Sequence, residues 1–183
     1  MNTRRTVAMG SALLLALAVL PSQSFGAWPV AVPDSLKVPP TQALGLAAHA
    51  LGVQIYDCKP SKDDPARYEW VFRAPEADLF DPVGTRIGKH YAGPTWESND
   101  GSKVVAEIKA KDDGPDANAI PWLLLTAKST SGDGVLAHTV SVQRVYTVGG
   151  KAPPGGCGAA QAGRAREARV PYSAMYFFFV PVP

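Results

Sequence analysis

The chain has 183 residues, 18 basic and 16 acidic side chains, a net charge of +2 and two cysteines. It carries no basic block or stripe, which excludes nucleic acid as a partner on electrostatic grounds. This length suits one domain behind a targeting segment.

Met1-Asn2-Thr3-Arg4-Arg5 is a short positive region. An uncharged run rich in Ala and Leu extends from Val7 to Leu20, and Pro21 ends it. Small residues at Ser24 and Gly26 set up a cut before Ala27, with Ser22-Gln23-Ser24 offering an earlier one. This is the three-part anatomy of a secretory signal peptide over 1–26. The run is shorter than the roughly 20 residues of a comfortable membrane span. Arg4-Arg5 alone is too little of a twin-arginine motif, so the general secretory route is expected. Arg4 and Arg5 leave with the signal, and the remaining 27–183 carries 16 basic against 16 acidic residues. Export to the periplasm or the extracellular space is expected, with no membrane span after cleavage. In such an oxidising compartment Cys58 and Cys157 are expected to form one disulfide. No Cys-x-x-Cys spacing supports a redox pair instead.

Residues 27–42 hold Pro29, Pro33, Pro39 and Pro40, so this stretch is an extended arm and not a helix. Beyond it the period is two. Leu44, Leu46, Ala48 and Ala50 share one face, and Val53 and Ile55 alternate with Gln54 and Tyr56. Tyr68, Trp70 and Phe72 form the apolar face of a half-buried strand. Val104, Ala106, Ile108 and Ala110 form another, the most regular in the chain. Val140, Val142, Tyr146 and Val148 share a face that Arg144 interrupts, at a rim or in an ion pair. The C-terminal YSAMYFFFV is apolar on both faces, as in a strand inside a sheet. Turn signals such as Asp81-Pro82-Val83-Gly84 and Asn99-Asp100-Gly101 separate these runs. The expected fold is all-β, a single antiparallel β-sandwich or β-barrel, with one short helix over Gly158–Arg169.

The segments VPDSLKVPP (32–40), VQIYDCKPS (53–61), YEWVFRAPEADLFD (68–81), KHYAGPTWESNDGSKVVAEIKAKDDGP (89–115), IPWLLLTAKSTSGDG (120–134), QRVYTVGGKAPPGGC (143–157) and VPYSAMYFFFVP (170–181) resemble a secreted family catalogued as domain of unknown function 3455. The resemblance covers nearly all of the chain after the signal. It implies export, one β-rich domain and a Cys58–Cys157 pair, and it brings no catalytic residue. Some relatives carry a malate dehydrogenase label, and Gly132-Asp133-Gly134-Val135-Leu136-Ala137 fits G-x-G-x-x-A. A dinucleotide loop must open a helix whose N-terminus holds the pyrophosphate. The residues after this loop, HTVSVQRVYTV, alternate like a strand, so a hairpin turn is expected.

Other chemistry is thinly supported. Asp112, Asp113, Asp116 and Asn118 lack the spacing of a calcium loop and have the composition of a surface turn. His49, His90 and His138 show no zinc-binding spacing. There is no G-x-S-x-G elbow, and no carboxylate pair is marked as an acid/base couple. No cofactor or metal is expected. The stretch 89–104 concentrates His90, Tyr91, Trp96, Glu97 and Asp100, and Trp122 comes directly after a second proline turn. Turns explain much of that composition, and core packing explains the tryptophans. As a site, these six residues would rim a pocket for a small, partly apolar ligand, or a protein partner's surface. The second reading is a hydrolytic or metal-assisted enzyme using His90 with Glu97 or Asp100. The third is a disulfide-stapled structural protein with no ligand.

Overall fold

In the computed structural model, eight antiparallel strands close into a barrel in simple chain order, each paired with its sequence neighbours and β1 paired with β8. The structure describes residues 31–158 and 167–182. The strands are β1 (Gln42–Pro60), β2 (Tyr68–Phe80), β3 (Arg86–Tyr91), β4 (Thr95–Ser98), β5 (Lys103–Asp112), β6 (Trp122–Ser131), β7 (Ser141–Gly149) and β8 (Glu167–Pro181). Closure, rather than a sandwich, removes the exposed edges that an open sheet leaves. The signal segment lies outside the described residues.

Alternation builds the interior. Ala48 and Ala50 of β1, Ala77 and Leu79 of β2, Val104 and Ala106 of β5, Leu123 and Leu125 of β6 and Val142 of β7 all turn inward. They meet Tyr172, Ala174, Tyr176 and Phe178 of β8 in one cluster. Two glycines sit where neighbouring strands approach closely. A Cβ on Gly52 would overlap the Glu76 carbonyl of the next strand, and one on Gly88 would overlap the Glu97 carbonyl. Both positions therefore hold glycine, which lets the neighbouring backbone approach closely.

Several faces read from the sequence need correction. Ile108, expected on the face of Val104 and Ala106, is 60% exposed next to a register shift, and Phe72 and Leu44 are exposed as well. On β7 the register shifts between Val145 and Val148, and Tyr146 there has a φ of 50°. The bulge carries Tyr146 and Val148 to the outer surface, off the face of Val142. On β1 a bulge at Ile55/Tyr56 leaves both residues buried beside Gln54, so the strict two-residue period breaks there.

One end of the barrel is stoppered. The loop between β6 and β7 inserts Leu136, 1% exposed, into the core cluster. The Asp100 carboxylate fastens that loop. It accepts hydrogen bonds from the Val135 amide (2.9 Å), the Ser102 amide (2.9 Å) and the Ser102 hydroxyl (2.6 Å). The Ser102 oxygen in turn accepts from the Leu136 amide at 3.1 Å. A Cβ on Gly134 would overlap the Asp100 carboxylate, so the glycine there permits this close approach. The stretch that fits G-x-G-x-x-A is thus a loop leading into strand β7, with no helix to seat a pyrophosphate.

The arm preceding β1 makes a 3-10 turn at Asp34–Leu36. Leu36 is fully buried, and its carbonyl accepts a 2.6 Å hydrogen bond from the Gln143 side-chain amide of β7. Cys58, near the end of β1, is bonded to Cys157. The helix expected over Gly158–Arg169 falls mostly on residues 159–166, outside the described residues, and its last three positions open β8 as strand. No helix among the described residues is long and apolar enough to cross a membrane.

A candidate ligand-binding cavity

The wall of the barrel has a gap above the hairpin of β3 and β4. Gly93 adopts a φ of 114° and Pro94 has no amide hydrogen, so the ladder stops and the chain turns back. The Thr95 hydroxyl closes the turn by donating to the Ala92 carbonyl at 2.9 Å. β2 and β5 run on past this short hairpin. β2 pairs with β3 only from Ala77 to Phe80, and β5 pairs with β4 only from Lys103 to Val105. Between Phe72–Pro75 of β2 and Ile108–Lys111 of β5 there is no strand, and a cavity of about 330 Å³ opens there. Its lip carries two large apolar side chains in the open, Phe72 at 51% and Ile108 at 60% exposure.

His90 and Trp96, on facing positions of β3 and β4, form the floor. Their rings stack with centroids 4.4 Å apart and planes 9° from parallel. Tyr176 of β8 meets both edge-on, at 5.0 Å and 5.3 Å. His90 Nδ1 lies 2.8 Å from the Thr95 carbonyl. A carbonyl only accepts, so Nδ1 carries the proton and Nε2 is a bare acceptor. Burial pulls the His90 pKa down to about 3, against the effect of the Thr95 hydrogen bond, and the nearby Arg144 charge lowers it further. The imidazole is therefore neutral at physiological pH.

Above the floor the walls are Tyr56, Leu123, Leu125 and Ile120. Arg144 projects in from β7, opposite Leu123 and Tyr176 in the register. Its Nε and Nη2 donate to the Pro121 carbonyl at 3.1 Å and 2.8 Å. Among the described residues no carboxylate lies within ion-pairing distance of it. Four more polar atoms are sealed in this interior without a hydrogen-bond partner among the described residues: Tyr172 Oη, Tyr176 Oη, Gln54 Nε2 and Trp96 Nε1. Tyr172 lies near Gln54 and Tyr176, and Tyr176 near Arg144, but at none of these oxygens does the approach reach good hydrogen-bond geometry. Burial raises the pKa of both hydroxyls, so they stay protonated.

The six residues singled out from the sequence do not converge. His90 and Trp96 line the cavity. Tyr91 and Glu97 alternate to the outer face, where the Tyr91 hydroxyl donates to Glu97 at 2.7 Å. Lys89 and Lys103 flank that carboxylate at 3.4 Å and 3.2 Å. The Tyr91 hydrogen bond, first, and the lysines hold the Glu97 carboxyl below its usual range. Asp100 belongs to the loop fastening at the stoppered end. Trp122 packs outside against Tyr146, with ring centroids 5.5 Å apart. An acid/base pair of His90 with Glu97 or Asp100 is therefore not assembled, because the imidazole N–H is spent on a backbone carbonyl. No three His, Cys, Asp or Glu side chains among the described residues are grouped to hold a metal. In the acidic loop, Asp112 and Asp116 accept from the amides of Gly114 and Asn118, both at 2.8 Å, as turn residues do.

Tyr176, Tyr56, Gln54 and the lip residues are not distinguished by the sequence. Arg144 is the one visible signal, a charge interrupting an apolar face.

Fold and site together define a small up-and-down β-barrel with a lateral portal and one closed end. The chain belongs to the family described as protein of unknown function DUF3455, whose model matches residues 39–180. No curated protein and no solved structure matches it.

Proposed function

We propose that the protein is an exported binding module that takes a small, partly apolar molecule into the barrel through the gap over the β3–β4 hairpin. The observation that carries this reading is the cavity of about 330 Å³ in a barrel otherwise filled and stoppered by Leu136. Ligand pockets are concave, mainly apolar and carry a few convergent polar groups, and they lie at barrel mouths. Export is supported by the signal-like start of the sequence and by the Cys58–Cys157 bond, which persists in oxidising compartments.

Native mass spectrometry of the protein recovered after export tests the reading. A small-molecule adduct released on denaturation is expected, and Leu123→Phe, which fills the cavity from its wall, should lose it while keeping the circular dichroism of the parent. A bare protein that also takes up no apolar fluorescent dye would leave the structural, ligand-free reading in its place.

A further inference from the structure

Resting on that cavity reading, we infer that the ligand is a monoanionic organic acid, its carboxylate held by Arg144 beside Tyr176 and its apolar body lying on the His90–Trp96 stack. A guanidinium directed into an apolar-lined cavity is costly unless it is paired. Among the described residues Arg144 makes well-formed hydrogen bonds only to the Pro121 carbonyl, which occupies the Nε–Nη2 edge, and its approach to the Tyr176 hydroxyl falls short of one. The edge formed by Nη1 and the second Nη2 hydrogen has the fork geometry that a carboxylate matches with two parallel hydrogen bonds.

The surroundings fit one negative charge. The positive field of Arg144 is felt by Tyr56, His90, Tyr172 and Tyr176, which together ring the interior, and none of them carries a compensating charge. Tyr176 brings a protonated hydroxyl without a partner among the described residues, ready to donate to a second carboxylate lone pair. Lys111 at the lip adds a cation at the entrance; its ion pair with Asp113 is a loose 3.7 Å contact. One interior cation favours a monoanion over a phosphate dianion, whose second charge would have no interior partner. Arg73, also in the lining, is already paired with Asp57 and Glu167; apart from it and Gln54 the remaining lining is mainly aromatic and aliphatic, which calls for an apolar body.

The test uses the full exported chain, stripped of any bound molecule, with octanoic acid, octanamide and octylamine as probes, followed by calorimetry and tryptophan fluorescence. Octanoate should bind at least tenfold more tightly than octanamide, and octylamine least. Arg144→Met should abolish the preference for the acid over the amide, and Arg144→Lys should retain part of it. Equal binding of acid and amide, or preference for the amine, would overturn the inference and leave the cavity reading standing. Failure of all three probes to bind would overturn both. Should Arg144→Met not fold, the acid–amide comparison on the parent protein still decides.

Discussion

Replacing Tyr176 by Phe should make the ligand-free protein more stable. Tyr176 is 1% exposed, and its hydroxyl has no hydrogen-bond partner among the described residues. A buried, unpaired hydroxyl costs about 1–3 kcal/mol, because it gives up its bonds to water and gains none. The Arg144 charge lies near enough to favour the phenolic oxygen and offsets part of this, so the lower end applies. The ring contacts to His90, Trp96 and Phe178 survive the change, since they involve only the aromatic carbons. Tyr176→Phe should therefore add about 1 kcal/mol, or raise the melting temperature by about 2–4 °C for a domain of this size. Most substitutions of a fully buried residue destabilise, so the sign is diagnostic. Differential scanning calorimetry on protein stripped of bound molecules is the assay, because a ligand bound only by the parent would reverse the order. A lower melting temperature for the variant under those conditions would show that the hydroxyl is satisfied in the free protein, and the case for unmet hydrogen bonds at Arg144 and Tyr176 would weaken with it.

Other perturbations have equally definite outcomes. Asp100→Asn should cost about 1–2 kcal/mol by weakening the charged hydrogen bonds that fasten the Leu136 loop, as read from urea midpoints. Its hydrogen bonds, chiefly from Ser102, hold the Asp100 carboxyl down at about 2 in the folded protein. The stabilisation is therefore complete above the unfolded carboxylate range and is lost as pH falls from about 4 toward 2, a limb that Asp100→Asn should flatten. Gly52→Ala should cost about 3 kcal/mol, at the upper end of overpacking penalties, because the new methyl meets backbone that cannot move aside. The denatured, unreduced protein should show no free thiol, and reduction should lower stability by up to about 4–5 kcal/mol for a loop of this length. Two titratable thiols before reduction would refute the bridge.

The strand pattern is legible wherever the two-residue period runs undisturbed, as in Ala48 and Ala50. It fails where the backbone inserts a bulge. Nothing in Val145-Tyr146-Thr147-Val148 announces that Tyr146 takes a positive φ, so the outward turn of Tyr146 and Val148 is visible only in the structure. β3 and β4 are hidden for a different reason. They have six and four residues and sit among Gly, Pro, Asn and Asp, so turn chemistry dominates their composition. The site is legible in part. His90 and Trp96 share the cavity floor with the unforeseen Tyr176, which is indistinguishable within an apolar strand. Tyr91 and Glu97 are grouped with their neighbours because sequence shows adjacency, whereas a strand sends adjacent side chains to opposite faces.

The longest ladder of the barrel joins β1 to β8, from Gln42 with Pro181 to Asp57 with Glu167. Every other pairing of these strands joins neighbours along the chain, so this seam is the strand pairing that must wait for nearly the whole polypeptide. Closing it carries the largest loop-closure cost and sets a slow step in folding. Until it closes, two apolar edges stand open, one bearing Leu44 and Leu46 and the other the Tyr176–Phe179 run. A chain cut before β8 would keep seven strands with open edges on β1 and β7, and would meet its neighbours as an aggregating sheet rather than as a smaller barrel.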